Sequence, residues 1–551
     1  MNASTNPVLL SVEGLSVALP PGGDRAYAVS DISFDLRRGE ILCVVGESGS
    51  GKSVSANAIM GLLPDFLKPV AGRIDFDGRD LLTLPEGDMQ RLRGSRIGMI
   101  FQEPMSALTP TMTVGDQIIE VMALHNVHTP QRRRARMLEL LAYVGLPEPE
   151  VLQRAYPFRL SGGQRQRIMI AMALALEPAL LIADEPTTAL DVTTQAQILA
   201  LIRKIQSSMG MAVLFITHDF GVVADIADRI VVMKEGVAVE KGSAAQVLNA
   251  PRHAYTRKLI AAVPHGRGRE DQVDRAGTSP LLEFRGVHKA YASGGGLFAR
   301  KRVVRAVDDI SFSVMPGETL GVVGESGSGK SSVAKCLMKL QDIDAGEIWF
   351  NGIDIAKLTQ RQFRRHRPSI QMIFQDPFAS LNPRHTIGKI LTDGPCELGM
   401  DRRSALAKAR ALLERVGLDP EAVHRYPNAF SGGQRQRVGI SRALMLEPRL
   451  LVCDESVSAL DVSIQAQVLE LLQSLQQSLG VAMVFITHDL RVATQICHRL
   501  LVMHKGKVVE EGVPTQVLSQ PAHPYTRQLV EAIPGRAWES ERKEGHARPA
   551  F

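Results

Sequence analysis

GEILCVVGESGSGKS, residues 39–53, decides the fold of this chain, and it returns as GETLGVVGESGSGKS at 317–331. In both places an apolar run leads into Gly-x-x-x-x-Gly-Lys-Ser and then into a helical stretch, the context a phosphate loop requires. The glycines let consecutive backbone N–H groups curl around an anion. The helix that follows aims its positive end at the same point. One cradle is therefore read at Gly46, Glu47, Ser48, Gly49, Ser50, Gly51, Lys52 and Ser53, and a second at Gly324, Glu325, Ser326, Gly327, Ser328, Gly329, Lys330 and Ser331. Lys52 and Lys330 reach the β- and γ-phosphates of a nucleotide, and Ser53 and Ser331 bind its Mg²⁺. A glycine-rich turn matched by chance does not recur in the same context.

Working outward, other stretches recur in the same order. LSGGQRQR at 160–167 returns as FSGGQRQR at 430–437, and LLIADEPTTALDV at 180–192 as LLVCDESVSALDV at 450–462. VLFITHDF at 213–220 returns as MVFITHDL at 483–490, and HAYTRKLIAAVP at 253–264 as HPYTRQLVEAIP at 523–534. The offset is 278 residues at the first motif and 270 at the later ones. This is duplication of a whole domain. It places domain 1 at 1–264, a Gly- and charge-rich linker at 265–280, domain 2 at 281–534 and a polar tail, read as disordered, at 535–551. Short apolar runs such as ILCVV, LLIAD and AVLFIT alternate with helical patterns, which predicts an α/β fold on a largely parallel sheet. Helix-rich stretches at about 103–160 and 376–430 read as an inserted subdomain.

The strand LLIAD ends in two carboxylates. Asp184 can hold Mg²⁺, and Glu185 then lies where a water attacks the γ-phosphate, as general base. Asp454 and Glu455 match them. Phosphate loop, Gln, LSGGQ, Asp-Glu, an ALD turn and His, in that order, resemble the ATP-binding-cassette (ABC) family over nearly the whole chain. The resemblance implies two tandem nucleotide-binding domains. Each would be a RecA-like parallel sheet with an antiparallel β subdomain and an inserted α-helical subdomain. It implies that Gln102 and Gln375 touch Mg²⁺ and the attacking water, that His218 and His488 sense the γ-phosphate, and that Asp191 and Asp461 link the two sites. It implies a head-to-tail pairing in which Ser161, Gly162, Gly163 and Gln164 face the nucleotide on Lys330, while Ser431, Gly432, Gly433 and Gln434 face that on Lys52. The expected catalytic set is Glu185, His218, Gln102, Glu455, His488 and Gln375, and the Mg²⁺ set is Ser53, Gln102, Asp184, Ser331, Gln375 and Asp454. Tyr27 and Tyr291 are candidates for stacking on adenine, although they are not equivalent in the alignment, where Leu19 fills the position in the first copy. Ser456 stands where the first copy has Pro186, and Asn382 where it has Thr109.

The twin H-x-Y-T-R-x-L-x-x-A-x-P endings, VGESGSGKS and FQDPFASLNP resemble the ATPase subunits of dipeptide, oligopeptide, nickel and glutathione importers, in a fused form nearest those for glutathione. The resemblance implies an ATPase that energises peptide import with two permeases and an extracytoplasmic binding protein, on the cytoplasmic face of the membrane. The twin endings are read as a family mark that does not itself bind substrate. Cys43, Cys336, Cys396, Cys453 and Cys497 form no CxxC pair or metal-ligand cluster, so no iron–sulfur centre is expected. No apolar run is long enough to span a bilayer, and the start lacks the pattern of a signal peptide. The net charge of +6, from 64 basic and 58 acidic residues, is too diffuse for a nucleic-acid binder. The rival reading is a soluble tandem-cassette ATPase of translation or DNA repair. The short linker and the lack of zinc motifs speak against it.

Overall fold

The computed structural model describes residues 6–22, 25–188, 190–264, 268–269, 278–293, 302–376, 379–458 and 460–546. Most of the 265–280 linker, Ala189 and Ala459 of the ALD turns, and 377–378 of FQDPFASLNP lie outside them. The chain divides into two compact units. The first comprises Met1–Leu190, Thr194–Val263 and Pro534–Phe551, and the second Asp191–Thr193 and Pro264–Ile533.

The first unit is built on a six-stranded sheet in the order Val237–Ser243, Arg229–Lys234, Ile41–Val45, Ala212–Thr217, Leu180–Asp184, Ile97–Ile100. All its pairings are parallel except that of the edge strand Val237–Ser243. Ile41–Val45 and Leu180–Asp184 are buried at every residue, because helices and a second sheet cover both faces. The continuous apolar runs of the sequence follow from that burial. The second sheet is antiparallel, in the order Tyr27–Arg37, Val8–Ala18, Lys68–Phe76, Arg79–Asp80. Its inward residues Leu10, Val12, Leu15 and Phe34 share one core with Leu42, Val44 and Ile59. Between Ile97–Ile100 and Leu180–Asp184 come the helices Val114–Leu124, Pro130–Tyr143 and Gly162–Ala173. Thr113, Thr129 and Ser161 cap them, each accepting a backbone N–H with its side chain.

The second unit repeats the plan. Its main sheet runs Ile370–Ile373, Leu450–Asp454, Ala482–Thr487, Thr319–Val323, Arg499–His504, Lys507–Gly512, and its antiparallel sheet Arg302–Val314, Leu282–Ser293, Ala345–Phe350, Ile353–Asp354. The helices Ile387–Glu397, Arg402–Arg415 and Gly432–Leu444 form its inserted subdomain.

The tail departs from the disorder read in the sequence. Arg536–His546 is a helix packed against Phe220–Ile226 of the first unit. The Gly535 N–H donates to Asp225 Oδ2 at 3.0 Å, and the indole N–H of Trp538 to Asn249 Oδ1 at 2.9 Å. Trp538 is 6% exposed. One large aromatic anchors an otherwise polar helix, and a single anchor leaves no periodicity to read. Residues 547–551 lie outside the described set.

Candidate functional site

In each unit the phosphate loop, the Asp-Glu pair, the glutamine and the histidine converge where the parallel strands end. The loop leaves Ile41–Val45 and enters the helix Lys52–Met60. Gly51, at φ 98°, holds the helix N-cap, and a Cβ there would lie 2.6 Å from Ala28 O. Gly329, at φ 109°, would meet Ala306 O at 2.1 Å. Only glycine permits this turn pressed against the backbone of the antiparallel sheet. Lys52 Nζ donates to Gly46 O at 2.7 Å and Glu47 O at 2.9 Å. Lys330 does the same to Gly324 O at 2.6 Å and Glu325 O at 2.8 Å. Both lysines are nearly buried, and burial lowers the pKa of Lys330.

Asp184 ends its strand opposite Ile216, and the Glu185 N–H adds a last ladder bond to Ile216 O at 2.9 Å. The chain then turns left-handed at Glu185, at φ 45°, and at Glu455, also at φ 45°. A glutamate in that region is uncommon and is held there by its surroundings. In the first unit three side chains hold the Glu185 carboxylate. Gln102 Nε2 donates to it at 3.0 Å and Thr188 Oγ1 at 3.0 Å, while His218 Nδ1 lies 3.2 Å away. Burial opposes ionisation of Glu185, but the hydrogen bond and charge of His218, the charge of Lys52 and the Thr188 bond together bring it to about 2. Asp184 is pushed up to about 6, chiefly by burial, with Glu185 beside it, against the hydrogen bond from Ser53 Oγ at 3.0 Å. The second unit matches: Gln375 Nε2 donates to Glu455 at 2.7 Å, His488 Nδ1 lies 3.6 Å from it, and Ser331 Oγ donates to Asp454 at 3.4 Å. Glu455 is likewise lowered, despite its burial, by His488 and Lys330, and Asp454 raised by burial.

Ser48, Gly49, Lys52, Ser53, Gln102 and Glu185 line one cavity of about 220 Å³ in the first unit. Ser53 Oγ, the Asp184 carboxylate and the Gln102 amide are hard oxygen donors of the kind that suits Mg²⁺. The LSGGQ residues sit on another element. Ser161 caps the helix Gly162–Ala173: the Gln164 N–H donates to Ser161 Oγ at 3.3 Å, and the Ser161 N–H to Gln164 Oε1 at 3.0 Å. Ser431 and Gln434 form the same capping box at 3.4 and 3.0 Å. The second glycine of each segment is fixed by packing, since a Cβ on Gly163 would meet Thr194 Cγ2 at 2.6 Å and one on Gly433 would meet Ile464 Cγ2 at 2.4 Å. Asp191 and Asp461 directly precede the long helices Val192–Met209 and Val462–Leu479. Tyr27 begins the strand Tyr27–Arg37, whereas Tyr291 lies on Leu282–Ser293, the counterpart of a different strand.

A family model for the ABC transporter matches residues 29–188 and 307–458, which is more than half of the chain. The chain belongs to the ABC transporter family. It is an ABC ATP-binding subunit, an ATPase coupled to transport. A second family model, the C-terminal region of oligopeptide/dipeptide transporters, matches 239–292 and 509–549, over the twin H-x-Y-T-R endings. The glutathione import ATP-binding protein GsiA of Salmonella choleraesuis (strain SC-B67) is 47% identical over 557 residues, covering 96% of this chain and 89% of the relative. GsiA of Escherichia coli O157:H7 is 46% identical over 561 residues with the same coverage. Among solved structures, a dimeric post-hydrolysis ATP-binding cassette bound to ADP and Pi, MJ0796, is 30% identical, covering 43% of this chain and 98% of that one, with a TM-score of 0.39.

Three contacts at these ABC sites were not legible in the sequence. Thr188 reaches the Glu185 carboxylate from the TTALD turn. Tyr255 and Tyr525, in the twin endings, reach the phosphate loops. The duplication of the tyrosine was visible, but its target lies 208 residues upstream in the first copy and 200 in the second.

Proposed function

We propose that this chain hydrolyses ATP with Mg²⁺ at two competent sites to drive import of peptides, whether dipeptides, oligopeptides or glutathione. The observation that carries the reading is the complete cluster of Lys, Ser, Gln, Asp, Glu and His in each unit. Lys52 and Lys330 leave their loop carbonyls to hold the phosphates. Ser53, Gln102 and Asp184, with Ser331, Gln375 and Asp454, would hold Mg²⁺, which would supply charge neutralisation to the transferring phosphoryl group. Glu185 and Glu455, kept ionised, accept a proton from the attacking water. Gln102 and His218, with Gln375 and His488, orient the carboxylate and meet the γ-phosphate. Ser161–Gln164 and Ser431–Gln434 each present a helix N-terminus, which favours an anion such as a γ-phosphate.

The peptide reading rests on the likeness to the glutathione import proteins and to the C-terminal region of oligopeptide/dipeptide transporters. None of the described helices is long and apolar enough to cross a membrane. In this reading two permeases and an extracytoplasmic binding protein supply the pathway, and the chain works at the cytoplasmic face. The test is the ATPase rate of the chain reconstituted with its permeases and binding protein. Stimulation by glutathione or by di- and oligopeptides is expected. Stimulation by Ni²⁺ alone would overturn the peptide reading.

A further inference from the structure

The twin endings do more than mark a family. In the first unit the Tyr255 hydroxyl donates to Glu47 Oε2 at 3.0 Å and accepts the Glu47 N–H at 3.3 Å. In the second unit the Tyr525 hydroxyl accepts the Glu325 N–H at 3.0 Å. Glu47 and Glu325 are the second residues of the two phosphate loops. Their carbonyls also hold Lys52 and Lys330. The peptide unit that joins Gly46 to Glu47, like that joining Gly324 to Glu325, thus takes the tyrosine contact on its N–H and the resting lysine on its own carbonyl oxygen.

The endings are built to hold that tyrosine. Glu240 accepts the backbone N–H groups of Arg252 and His253 at 2.7 and 3.1 Å. Glu510 accepts those of Ala522 and His523, both at 2.9 Å. Burial opposes ionisation of Glu240 and Glu510, but Thr256 and Thr526, together with these backbone bonds, hold both below the usual carboxylate range. His253 and His523 then cap the helices Ala254–Ala262 and Pro524–Glu531, each accepting the tyrosine N–H on Nδ1 at 3.2 and 3.1 Å. The tyrosine rings are buried, at 8% and 6% exposure. Each lies against a basic residue one position beyond the strand methionine whose carbonyl backs the loop. Lys234 Nζ is 5.5 Å from the Tyr255 centroid, and the His504 ring is 3.9 Å from that of Tyr525. A Cβ on Gly46 would meet Met233 O at 2.2 Å, and one on Gly324 Met503 O at 2.3 Å. Both copies keep the arrangement although the ring's neighbour differs, Lys in one and His in the other.

We infer that Tyr255 and Tyr525 are positioning residues that set the phosphate loops for nucleotide and couple loop occupancy to the C-terminal helices. This rests on the loops being the nucleotide sites. The hydroxyl holds the loop's entry peptide in place, so the remaining amides face the phosphates with less to reorganise on binding. Coupling of this kind is reciprocal: if the helix favours the occupied loop, nucleotide favours the docked helix.

The test uses the full chain with Tyr255→Phe and Tyr525→Phe, singly and together. Phenylalanine keeps the ring packing and deletes only the hydroxyl. MgADP binding is measured by calorimetry, and amide exchange of Ala254–Ala262 and Pro524–Glu531 with and without MgADP. The expected result is an unchanged Tm and a rise in Kd of about three- to tenfold at the altered site. Slowing of helix exchange by nucleotide, expected in the wild type, is lost in the variants. Tyr143→Phe, which removes a hydroxyl bonded to Ser208 on the surface of the helical subdomain, serves as the control and leaves both readouts unchanged. Kd within twofold of wild type, with the nucleotide effect on the helices intact, would overturn the inference. Lys52→Ala with Lys330→Ala separates this from the underlying reading: wild-type MgADP binding there would overturn the site assignment, and the inference with it.

Discussion

Glu185 and Glu455 sit at the same φ and at the ends of corresponding strands, yet they are held differently. Glu185 takes bonds from Gln102 and Thr188 with His218 at 3.2 Å. Glu455 takes a shorter bond from Gln375, at 2.7 Å, with His488 further off at 3.6 Å. Ser458, the counterpart of Thr188, turns its hydroxyl to the backbone carbonyl of Glu455 at 2.9 Å. Ser456, directly after Glu455 and at 2% exposure, replaces Pro186, and its hydroxyl is buried with no hydrogen-bond partner among the described residues. Duplication kept the carboxylate, lysine, glutamine and histidine and let their supports drift. Chemistry constrains a carboxylate, a lysine and a histidine tightly, whereas a carboxylate can be oriented by several sets of donors.

The largest expected effect tests the shared part. Glu185→Gln and Glu455→Gln each remove a proposed general base. Single-turnover hydrolysis at the altered site should fall about 10²- to 10⁴-fold. Full steady-state activity in either single variant would break the claim of two competent sites. Trp538→Ala probes the helix docked on the first unit. Truncating a buried tryptophan costs about 3–5 kcal/mol in a core. Because a terminal helix can release by itself, the expected readout is rapid proteolytic loss of Arg536–His546 with both cassettes intact; an unchanged cleavage rate would refute the docking.

Thr188→Ala and Ser458→Ala sharpen the comparison directly. Loss of the Thr188 bond should lower turnover at its site about three- to tenfold, and Thr188→Ser should restore it. Ser458→Ala should stay within twofold, and equal losses in the two variants would erase the difference. Ser456→Ala should leave stability unchanged or raise it by no more than about 1 kcal/mol, read as an equal or higher Tm, because an unsatisfied buried hydroxyl is removed. A clear drop in Tm would show that the hydroxyl is satisfied. The smallest effect concerns thiols. Cys43, Cys336, Cys453 and Cys497 are buried, and burial pushes Cys336 up to about 11 and Cys453 to about 12. Raised values leave these thiols protonated below those pH values, so at pH 8 only the half-buried Cys396 should react with a thiol reagent. A second fast-reacting thiol would contradict the burial.

Particular residues show how far the chain could be read without its structure. The phosphate loops and strand-end carboxylates were legible because local spacing sets their chemistry: a loop of glycines between strand and helix, and two acids at the end of an apolar run. The fold class followed from the same alternation. The grip of Thr188 on Glu185 was not legible, since TTALD and SVSALD differ only by small hydroxyl and apolar residues whose direction depends on the turn. The docking of Trp538 was hidden by the polar composition around it.

The sequence by itself determined the duplicated α/β plan, the two phosphate cradles and the identities of the groups that converge on them, because each is encoded within a few neighbouring residues. Tertiary structure decided which groups touch. It brought Gln102 to Glu185 across 83 positions and Tyr255 to Glu47 across 208. The physical reason is that a hydrogen bond needs about 3 Å between atoms, and only the main sheet, packed between helices and the antiparallel sheet, fixes distant segments to that tolerance.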